Sequence, residues 1–432
     1  MLLFQGNLVS QLGTQAFSIA MLFLIKHETG SATLMGTLLM ASMLPSVLAG
    51  PFGGTFADYH SRKQIIVISD LINGVVVTAF AVYYFLFPVV DTLFLVLLFA
   101  VSVVVSTVRA FFTPAVLAAL PDLVEEKQLT GANSMIQGST QLSMLVGQGI
   151  GGLLYRLVGP AWLFLIDGLS YLLSMVSEFF IDLPRKDRSD EGSTVKNRFR
   201  TETVDGFRYI WRKPGMRMVF LAAGTLNFFF APIMVIMPFY VEDYMHLPTD
   251  WYGYIYAFFG LGTIIGFGLA SALKVQGRAA SVLVGLSFIV FGGIMTGLAF
   301  TQQLWAVIAL TIIGGAAMGI VNINIMTQLQ SQTEERYRGR VMGNLTTLSM
   351  GIMPISLGLT GLVLDLLNQD VLLLLSITGA IVIVIAFFLM LNAPFMQFFA
   401  VVTESKETNA DSDEEQGKST TLQAKAEALL QD

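Results

Sequence analysis

Continuous apolar stretches recur along the whole chain and constrain its fold more than any other feature. As helices, stretches of about 20 residues cross the roughly 30 Å hydrocarbon core of a bilayer. Only 12% of the residues are charged, whereas a soluble domain has about 25%. The stretches are unbroken and lack the alternating pattern of a transmembrane barrel. The sequence therefore predicts an all-α polytopic membrane protein.

Twelve such blocks are predicted, and a charged stretch separates the first six from the last six. They cover about 3–26, 31–57, 64–87, 91–119, 129–157 and 160–182, then 217–242, 250–274, 279–301, 303–330, 340–366 and 370–399. The expected architecture is two pseudo-symmetric six-helix bundles, 1–182 and 217–400, joined by a basic cytoplasmic linker, 183–216. Within the linker, 204–211 can form an amphipathic helix on the membrane. The acidic tail, 401–432, has too few apolar residues to fold alone and is expected to be disordered.

The distribution of Lys and Arg predicts the orientation. With both termini in the cytoplasm, 21 basic residues lie on the cytoplasmic side and 2, Lys26 and Arg156, lie outside. Because basic loops are retained inside, both termini are predicted to be cytoplasmic. The first block has no basic segment before it, so we expect a retained helix rather than a cleaved signal.

The residue types available exclude several kinds of chemistry. The chain has no Cys, which removes disulfides, thiolate metal sites and Cys nucleophiles. Its His residues, His27, His60 and His246, lack metal-ligand spacing. Glycine-rich runs lack the lysine and the strand–loop–helix setting of a phosphate loop. We therefore expect no enzyme activity, cofactor, metal or nucleic-acid partner.

The two halves resemble each other in sequence. The fourth block extends on the cytoplasmic side to Glu125-Glu126-Lys127 and the tenth to Glu334-Glu335-Arg336, and each extension leads into a helix rich in small residues. Such a repeat implies a duplicated fold with a cavity between its halves.

The polar turn between the second and third blocks, residues 50–64, carries the strongest motif. It reads Gly54-Thr-Phe-Ala-Asp58-Tyr59-His60-Ser61-Arg62-Lys63. This resembles the loop signature of the major facilitator superfamily, Gly-x-x-x-Asp-Arg/Lys-x-Gly-Arg-Arg/Lys. Tyr59 stands in place of a basic residue and Ser61 in place of a glycine; four positions match, Gly54, Asp58, Arg62 and Lys63. The resemblance implies a gating turn that latches the halves on the cytoplasmic side, with residues 339–343 opposite. The alternative is a topogenic loop whose basic residues only face anionic lipid.

Three further segments resemble one branch of this superfamily more specifically. Arg109-Ala-Phe-Phe-Thr-Pro-Ala115, Asp167-Gly-Leu-Ser-Tyr171 and Arg338-Gly-Arg-Val341 are similar to the branch of macrolide-efflux and enterobactin-exporter-like proteins. The resemblance covers about residues 1–400 and not the tail. It implies a secondary transporter that works by alternating access.

Arg109 is the only basic residue deep within a block. A charge there costs at least about 2.5–3.5 kcal/mol on insertion scales, so it should face the cavity or a partner. Ser102, Ser106 and Thr113 continue its stripe at helical spacing. The resemblance associates such an arginine with substrate or proton handling. The alternative is a structural arginine bound to carbonyl groups or an acid.

Three acids, Asp70, Asp167 and Glu178, lie within blocks. A carboxyl group in low dielectric can exchange a proton as its access changes, so these are candidates for the coupling proton. In the family the third and sixth helices are usually peripheral, and a structural role is the alternative.

Neutral polar residues mark the predicted cavity. The resemblance implies that blocks 1, 4, 7 and 10 line it, and they contribute Asn7, Gln11, Gln15, Asn227, Asn322 and Gln328. An amide-rich, aromatic cavity suits a bulky amphipathic compound; hydrogen bonding between helices is the alternative.

The fifth block carries a glycine motif. Gly147, Gly151 and Gly152 fall where antiporters of the superfamily have a motif that bends and seals the helix, and Gln148 replaces its proline. Ordinary packing of small residues is the alternative.

Together these features predict a proton-coupled exporter of a drug-like or natural-product compound. We expect a monomer in a bacterial cytoplasmic membrane, with a small amphipathic substrate, protons and the lipid bilayer as its partners. One alternative is an importer, or a lipid or metabolite facilitator, of the same fold. Another is a non-transporting receptor or scaffold.

Overall fold

Helices dominate the described chain. The computed structural model describes residues 2–181, 205–273, 275 and 277–400, and no strand occurs in those ranges. The helices are α1 (Leu2–Thr29), α2 (Ala32–Tyr59), α3 (Arg62–Leu86), α4 (Thr92–Leu123), α5 (Leu129–Val158), α6 (Pro160–Phe179), α7 (Pro214–Phe230), α8 (Pro232–Phe239), α9 (Asp250–Leu273), α10 (Arg278–Leu298), α11 (Leu304–Gln332), α12 (Glu335–Leu366), α13 (Val371–Leu391) and α14 (Ala393–Ala400).

Eleven segments of the described chain are helical, long and apolar enough to cross a membrane. This confirms the predicted class of α-helical membrane protein. The 30-residue helix α5 is not among them, because Gly, Ser and Gln lower its hydropathy. The count of twelve crossings therefore stays a prediction.

The long helices run between two faces of the molecule. At the terminal face α1 begins and α2 ends; at the far face α1 ends and α2 begins. Far-face connections are short: Gly30 and Ser31 join α1 to α2, and Gly159 alone joins α5 to α6. Gly159 has a φ of 83°, which suits glycine, and Pro160 occupies the first turn of α6, where its missing N–H costs nothing.

The helices form two bundles with the same packing pattern, as predicted. In the first bundle α3 packs on α6 and α2 on α4, and in the second α10 packs on α13 and α9 on α11. The bundles meet through α2 with α12 and α5 with α9. Most of the predicted linker and the whole tail fall on residues 182–204 and 401–432, outside the described residues. The domain boundaries therefore stay predictions.

Buried apolar side chains form one core shared by both bundles and two that are not shared. The shared core brings Phe23 of the first half together with Phe239 of the second and lies toward the far face. A second core, around Phe288, belongs wholly to the second half. A third, around Val116, belongs wholly to the first half. The halves are thus joined at the far face and have separate cores toward the terminal face.

The seventh crossing is broken twice. It passes from α7 to α8 at Pro232, which has no N–H to donate to the preceding turn. It then ends in a π-helical turn, Tyr240–Tyr244. The Tyr240 hydroxyl donates to the Leu298 carbonyl at 2.8 Å and fixes this turn against α10. As a result Glu242 and Asp243 lie at the far face.

Candidate functional site

The interface between the halves closes tightly at the far face. Gly36 of α2 faces Leu357 and Gly361 of α12, so closely that a Cβ atom at Gly36 would collide with the Leu357 carbonyl. Gly152 of α5 similarly meets the backbone of Thr249. Glycine at these positions lets the backbones of the two halves approach closely.

A buried lysine connects the first half to the π-helical turn. Lys26 Nζ lies 2.6 Å from Glu242 Oε2 and 3.0 Å from Asp243 Oδ1, and its side chain is only 5% exposed. His27 Nε2 lies 3.0 Å from the same Glu242 oxygen, and its Nδ1 lies 3.0 Å from the Tyr155 hydroxyl. Thr249 also donates to Glu242, at 2.6 Å. Glu242 is therefore the centre of a polar cluster that spans both halves.

Two further contacts join the halves at this face. Arg156 pairs with Asp250 at 2.7 Å. Asp365 of α12 accepts hydrogen bonds from the backbone N–H groups of Ala32 at 3.0 Å and Thr33 at 2.8 Å, at the start of α2. A carboxylate is favoured there by the helix dipole. We call this set the far-face clasp: Lys26, His27, Arg156, Glu242, Asp243, Asp250 and Asp365.

The sequence prediction missed the clasp as a functional group. Lys26 and Arg156 are predicted only to lie on the outer side, at the ends of the first and fifth blocks, whereas in the structure Lys26 is buried and both basic residues bind the opposite half. The available signal was the placement of these two cations and of four acids at block ends that share one face. That pattern indicates which charged side chains lie on the same face, but it does not indicate which of them form ion pairs.

Toward the terminal face the two basic residues of the gating turn contact their own half. Arg62 binds the end of α4, 2.5 Å from Asp122 Oδ2 and 2.6 Å from the Ala118 carbonyl. Lys63 lies over the Phe179 ring. Asp58 is exposed and bonds to no residue of the described ranges, and a side chain at Gly54 would meet nothing.

The element predicted to face this turn is equally open. Side chains added at Gly339 or Gly343 of α12 would meet nothing. Many residues in the terminal-side halves of α5 and α12 are exposed, including Met135, Leu142 and Met350. The latch between Asp58 and residues 339–343 is not formed in this arrangement and stays a prediction.

Arg109 is exposed rather than buried. Its predicted polar stripe divides, because Ser102 and Ser106 are buried. Ser106 accepts a hydrogen bond from the Ser46 backbone N–H at 3.1 Å and so joins α4 to α2. Arg109 is close enough to Tyr171 of α6 for a coulombic interaction. A role for Arg109 in binding stays a prediction.

The three predicted acids are buried inside the first bundle and do not face the space between the two halves. Asp70, Asp167 and Glu178 are each 1% exposed. Ser174 donates to Glu178 at 3.3 Å, and the Asp70 carboxyl lies within hydrogen-bonding reach of both. One oxygen of each acid has no partner among the described residues. The packing of α3 on α6 therefore brings Asp70 and Glu178 together.

The predicted cavity amides do not form one continuous surface. Asn7 and Gln328 are buried, and Asn7 accepts from Gln11 Nε2 at 3.0 Å. Asn227 donates to the Ala223 carbonyl at 2.8 Å and lies 3.4 Å from Ser349 of α12. Gln11 and Gln15 are half-buried; Asn322 is exposed.

The glycine motif of α5 serves packing on two sides. Side chains at Gly147 and Gly151 would collide with Gln15 and Ile19 of α1, whereas Gly152 faces the second half. The backbone of Gln148 approaches Gly253 of α9. The motif therefore lies at the crossing where α5 meets the second half.

An apolar cavity of about 520 Å³, including its mouth, lies within the second bundle. It begins where α7 breaks into α8, and α9, α10, α11 and α13 enclose it. Tyr256 and Thr311 bring hydroxyl groups to a lining that is otherwise aliphatic and aromatic. The remaining residues are Phe230, Ile233, Met237, Ile255, Phe259, Phe291, Ile294, Met295, Leu298, Gly314 and Leu375.

Comparisons with known proteins agree with this architecture. The chain is 27% identical to the multidrug efflux pump Tap of Mycolicibacterium fortuitum over 355 residues, which is 80% of this chain and 84% of that protein. It is 25% identical to macrolide efflux protein A of Streptococcus pyogenes, over 88% of this chain and 92% of that protein.

Solved structures show the same fold at low sequence identity. The nucleoside transporter NupG superposes with a TM-score of 0.69 at 12% identity and covers 92% of this chain and 98% of its own. A bacterial homologue of the lysosomal transporter Spinster gives 0.68 at 15%, over 92% and 96%. These similarities support a multi-pass transporter in a bacterial membrane. The profile of the Major Facilitator Superfamily matches residues 3–355, and the chain belongs to that family.

Proposed function

We propose that this protein exports a bulky amphipathic compound, drug-like or a natural product, in exchange for protons by alternating access. The observation that carries the proposal is the arrangement of the cores. One apolar core joins the halves at the far face, and two separate cores lie toward the terminal face. A substrate can enter such a molecule from one side only, and rocking the halves about their interface exposes it to the other.

The cavity within the second bundle, together with Arg109, supports an amphipathic substrate. The cavity lined by Phe230, Tyr256 and Phe259 offers apolar and aromatic surface with few polar groups, as is usual for drug-sized ligands. Arg109 adds one exposed cation. A sugar phosphate would need several cations, so an uncharged or weakly acidic ring compound fits better. The relatives named as multidrug and macrolide efflux proteins favour the same class.

The buried acids support coupling to protons. Asp70 and Glu178 lie within hydrogen-bonding reach of each other inside the bundle, and one shared proton would relieve the repulsion between two neighbouring carboxylates. Asp167, near Thr14 of α1, is a second candidate on the same helix as Glu178. Movement of α6 against α1 and α3 would change the access of these groups to water, which is the requirement for a proton carrier.

The gating turn acts in the other conformation, in which the terminal face is closed and the far face is open. When the terminal face closes, Asp58 approaches the start of α12, where its carboxylate meets the N–H groups of a helix N-terminus. Such a contact contributes about 0.3–1 kcal/mol when exposed and more when partly buried. The far-face clasp would then open.

Transport into inverted membrane vesicles tests the proposal. Vesicles with an inward proton pump should accumulate a radiolabelled macrolide only when they contain the protein, and a protonophore should abolish the accumulation. Uptake that equilibrates but never concentrates, with or without the protonophore, would support facilitated diffusion instead. No uptake across a panel of macrolides and multidrug-pump dyes would favour a receptor or scaffold.

A further inference from the structure

A short helix that precedes α7, residues 205–212, is anchored to the start of α12. Ile210 is fully buried, and Gly206 lies so close to Arg340 and Asn344 that a Cβ atom there would collide with them. Tyr209 stacks on Tyr337, with ring centroids 4.4 Å apart and planes at 15°. The helix, which agrees with the one predicted for 204–211, therefore has one face fixed against the second bundle.

Its other face presents two adjacent columns of side chains. Phe207 and Trp211, one turn apart, stack with centroids 5.0 Å apart and remain 51% and 45% exposed. Arg208 and Arg212 form the second column and are also exposed. Neither arginine pairs with a carboxylate within the described ranges. An aromatic column beside a basic one has no partner in this part of the protein.

We propose that these two columns bind an anionic phospholipid of the leaflet at the terminal face. Aromatic rings favour the interface between acyl chains and headgroups. Guanidinium groups bind phosphate oxygens in pairs. The helix directly precedes Pro214, where the seventh crossing begins, so its exposed face lies at headgroup depth. If the predicted orientation is right, this is the cytoplasmic leaflet, where anionic lipids attract basic segments.

Tyr209 and Lys213 connect this lipid site to the start of α12, the element predicted to face the gating turn. The Tyr209 hydroxyl donates to Glu334 at 3.2 Å, and Lys213 Nζ lies 3.5 Å from the same carboxylate, which precedes α12. Burial acts to lower the pKa of Lys213, but its bonds with Tyr209 and Glu334 outweigh burial and raise it. Lys213 is therefore charged at neutral pH and can pair with Glu334. Because Glu334 directly precedes α12, a lipid that immobilises the short helix also restrains the start of α12. The site does not depend on the transport reaction.

Quenching of Trp211 fluorescence tests the site. The full-length protein, with Trp162, Trp251 and Trp305 replaced by Phe, is placed in nanodiscs of phosphatidylcholine containing a minor share of phosphatidylglycerol. One of the two lipids carries brominated acyl chains. With the anionic lipid brominated, quenching should exceed that expected from its share of the bilayer, with an enrichment of about 30-fold for two arginines. The double variant Arg208→Gln with Arg212→Gln should lose this enrichment, whereas Arg278→Gln, exposed at the same face, should keep it.

Two results would overturn the proposal. Equal quenching by both lipids in proportion to their amounts would mean no anionic selectivity. Absence of quenching by either would mean that the helix does not lie at the bilayer. Native mass spectrometry of the protein with its tryptophans intact provides an independent measurement. It should show retained phosphatidylglycerol that the double variant lacks, and equal retention by both proteins would contradict the site.

Discussion

Replacing Glu242 by Gln should shift the molecule toward the state that is open at the far face. Glu242 is the acceptor for Lys26, His27 and Thr249, and the side chains of Lys26 and Glu242 are 5% and 14% exposed. The substitution keeps the shape of the side chain and removes its charge. In the closed state Lys26 would then be a buried cation without its main counter-charge. Opening of the far face would expose it to water, so the substitution favours the open state.

The size of the shift follows from these contacts. Removing one partner of a buried ion pair costs about 3–5 kcal/mol. Two features reduce this figure here. Asp243 remains 3.0 Å from Lys26, although its side chain is 59% exposed, and exposed pairs contribute about 1 kcal/mol or less. The amide oxygen of the new side chain can also still accept a hydrogen bond. We therefore expect about 2 kcal/mol, which is a change of about 30-fold in the equilibrium between the two states.

Distance measurements by electron paramagnetic resonance can detect this shift. The chain has no Cys, so spin labels can be attached at Val89 and Gln303, exposed far-face positions in opposite halves. The variant Glu242→Gln should populate a longer distance that is rare in the wild type. The matched control, Asp243→Asn, removes a more exposed partner of the same lysine and should shift the population less than about fivefold. An unchanged distance distribution for Glu242→Gln, or equal effects of both variants, would refute the reasoning.

Three further substitutions test other parts of the molecule. Asp365→Ala removes the acceptor for two N–H groups of α2 and should cost about 0.5–2 kcal/mol. It should increase the far-face distance, whereas Asp370→Ala, which removes the cap of α13 within one half, should lower only the thermal midpoint; equal distances in both would contradict a clasp. Asp58→Asn should reduce transport while the protein remains in the membrane, because the latch needs a carboxylate, and wild-type uptake in vesicles would exclude the latch. Arg109→Ala should abolish uptake because the cation that we propose to contact the substrate is lost; full activity would make Arg109 structural.

Local features of the sequence were sufficient to predict an α-helical membrane protein built from two similar helical bundles. Hydropathy over about 20 residues predicts a spanning helix regardless of its neighbours. The charged stretch after the sixth block and the repeated acidic–basic ends indicated two similar halves. The motif from Gly54 to Lys63 and the residues around Arg109 were sufficient for the family, which the profile match confirms. Cap residues such as Ser31 and Asp370 also act within a single turn.

Only the tertiary structure decided which polar groups meet. Lys26 and Glu242 are 216 residues apart in sequence, and their contact depends on the tilt and rotation of two helices in different halves. Local composition does not specify those angles, so no role for Lys26 beyond topology follows from its position in the sequence. Arg62 could have faced lipid or the other half, and the packing of α3 beside α4 directs it to Asp122. Asp70 and Glu178 became a pair for the same reason, because close packing of α3 on α6 brings the two carboxyl groups and Ser174 within hydrogen-bonding reach of one another.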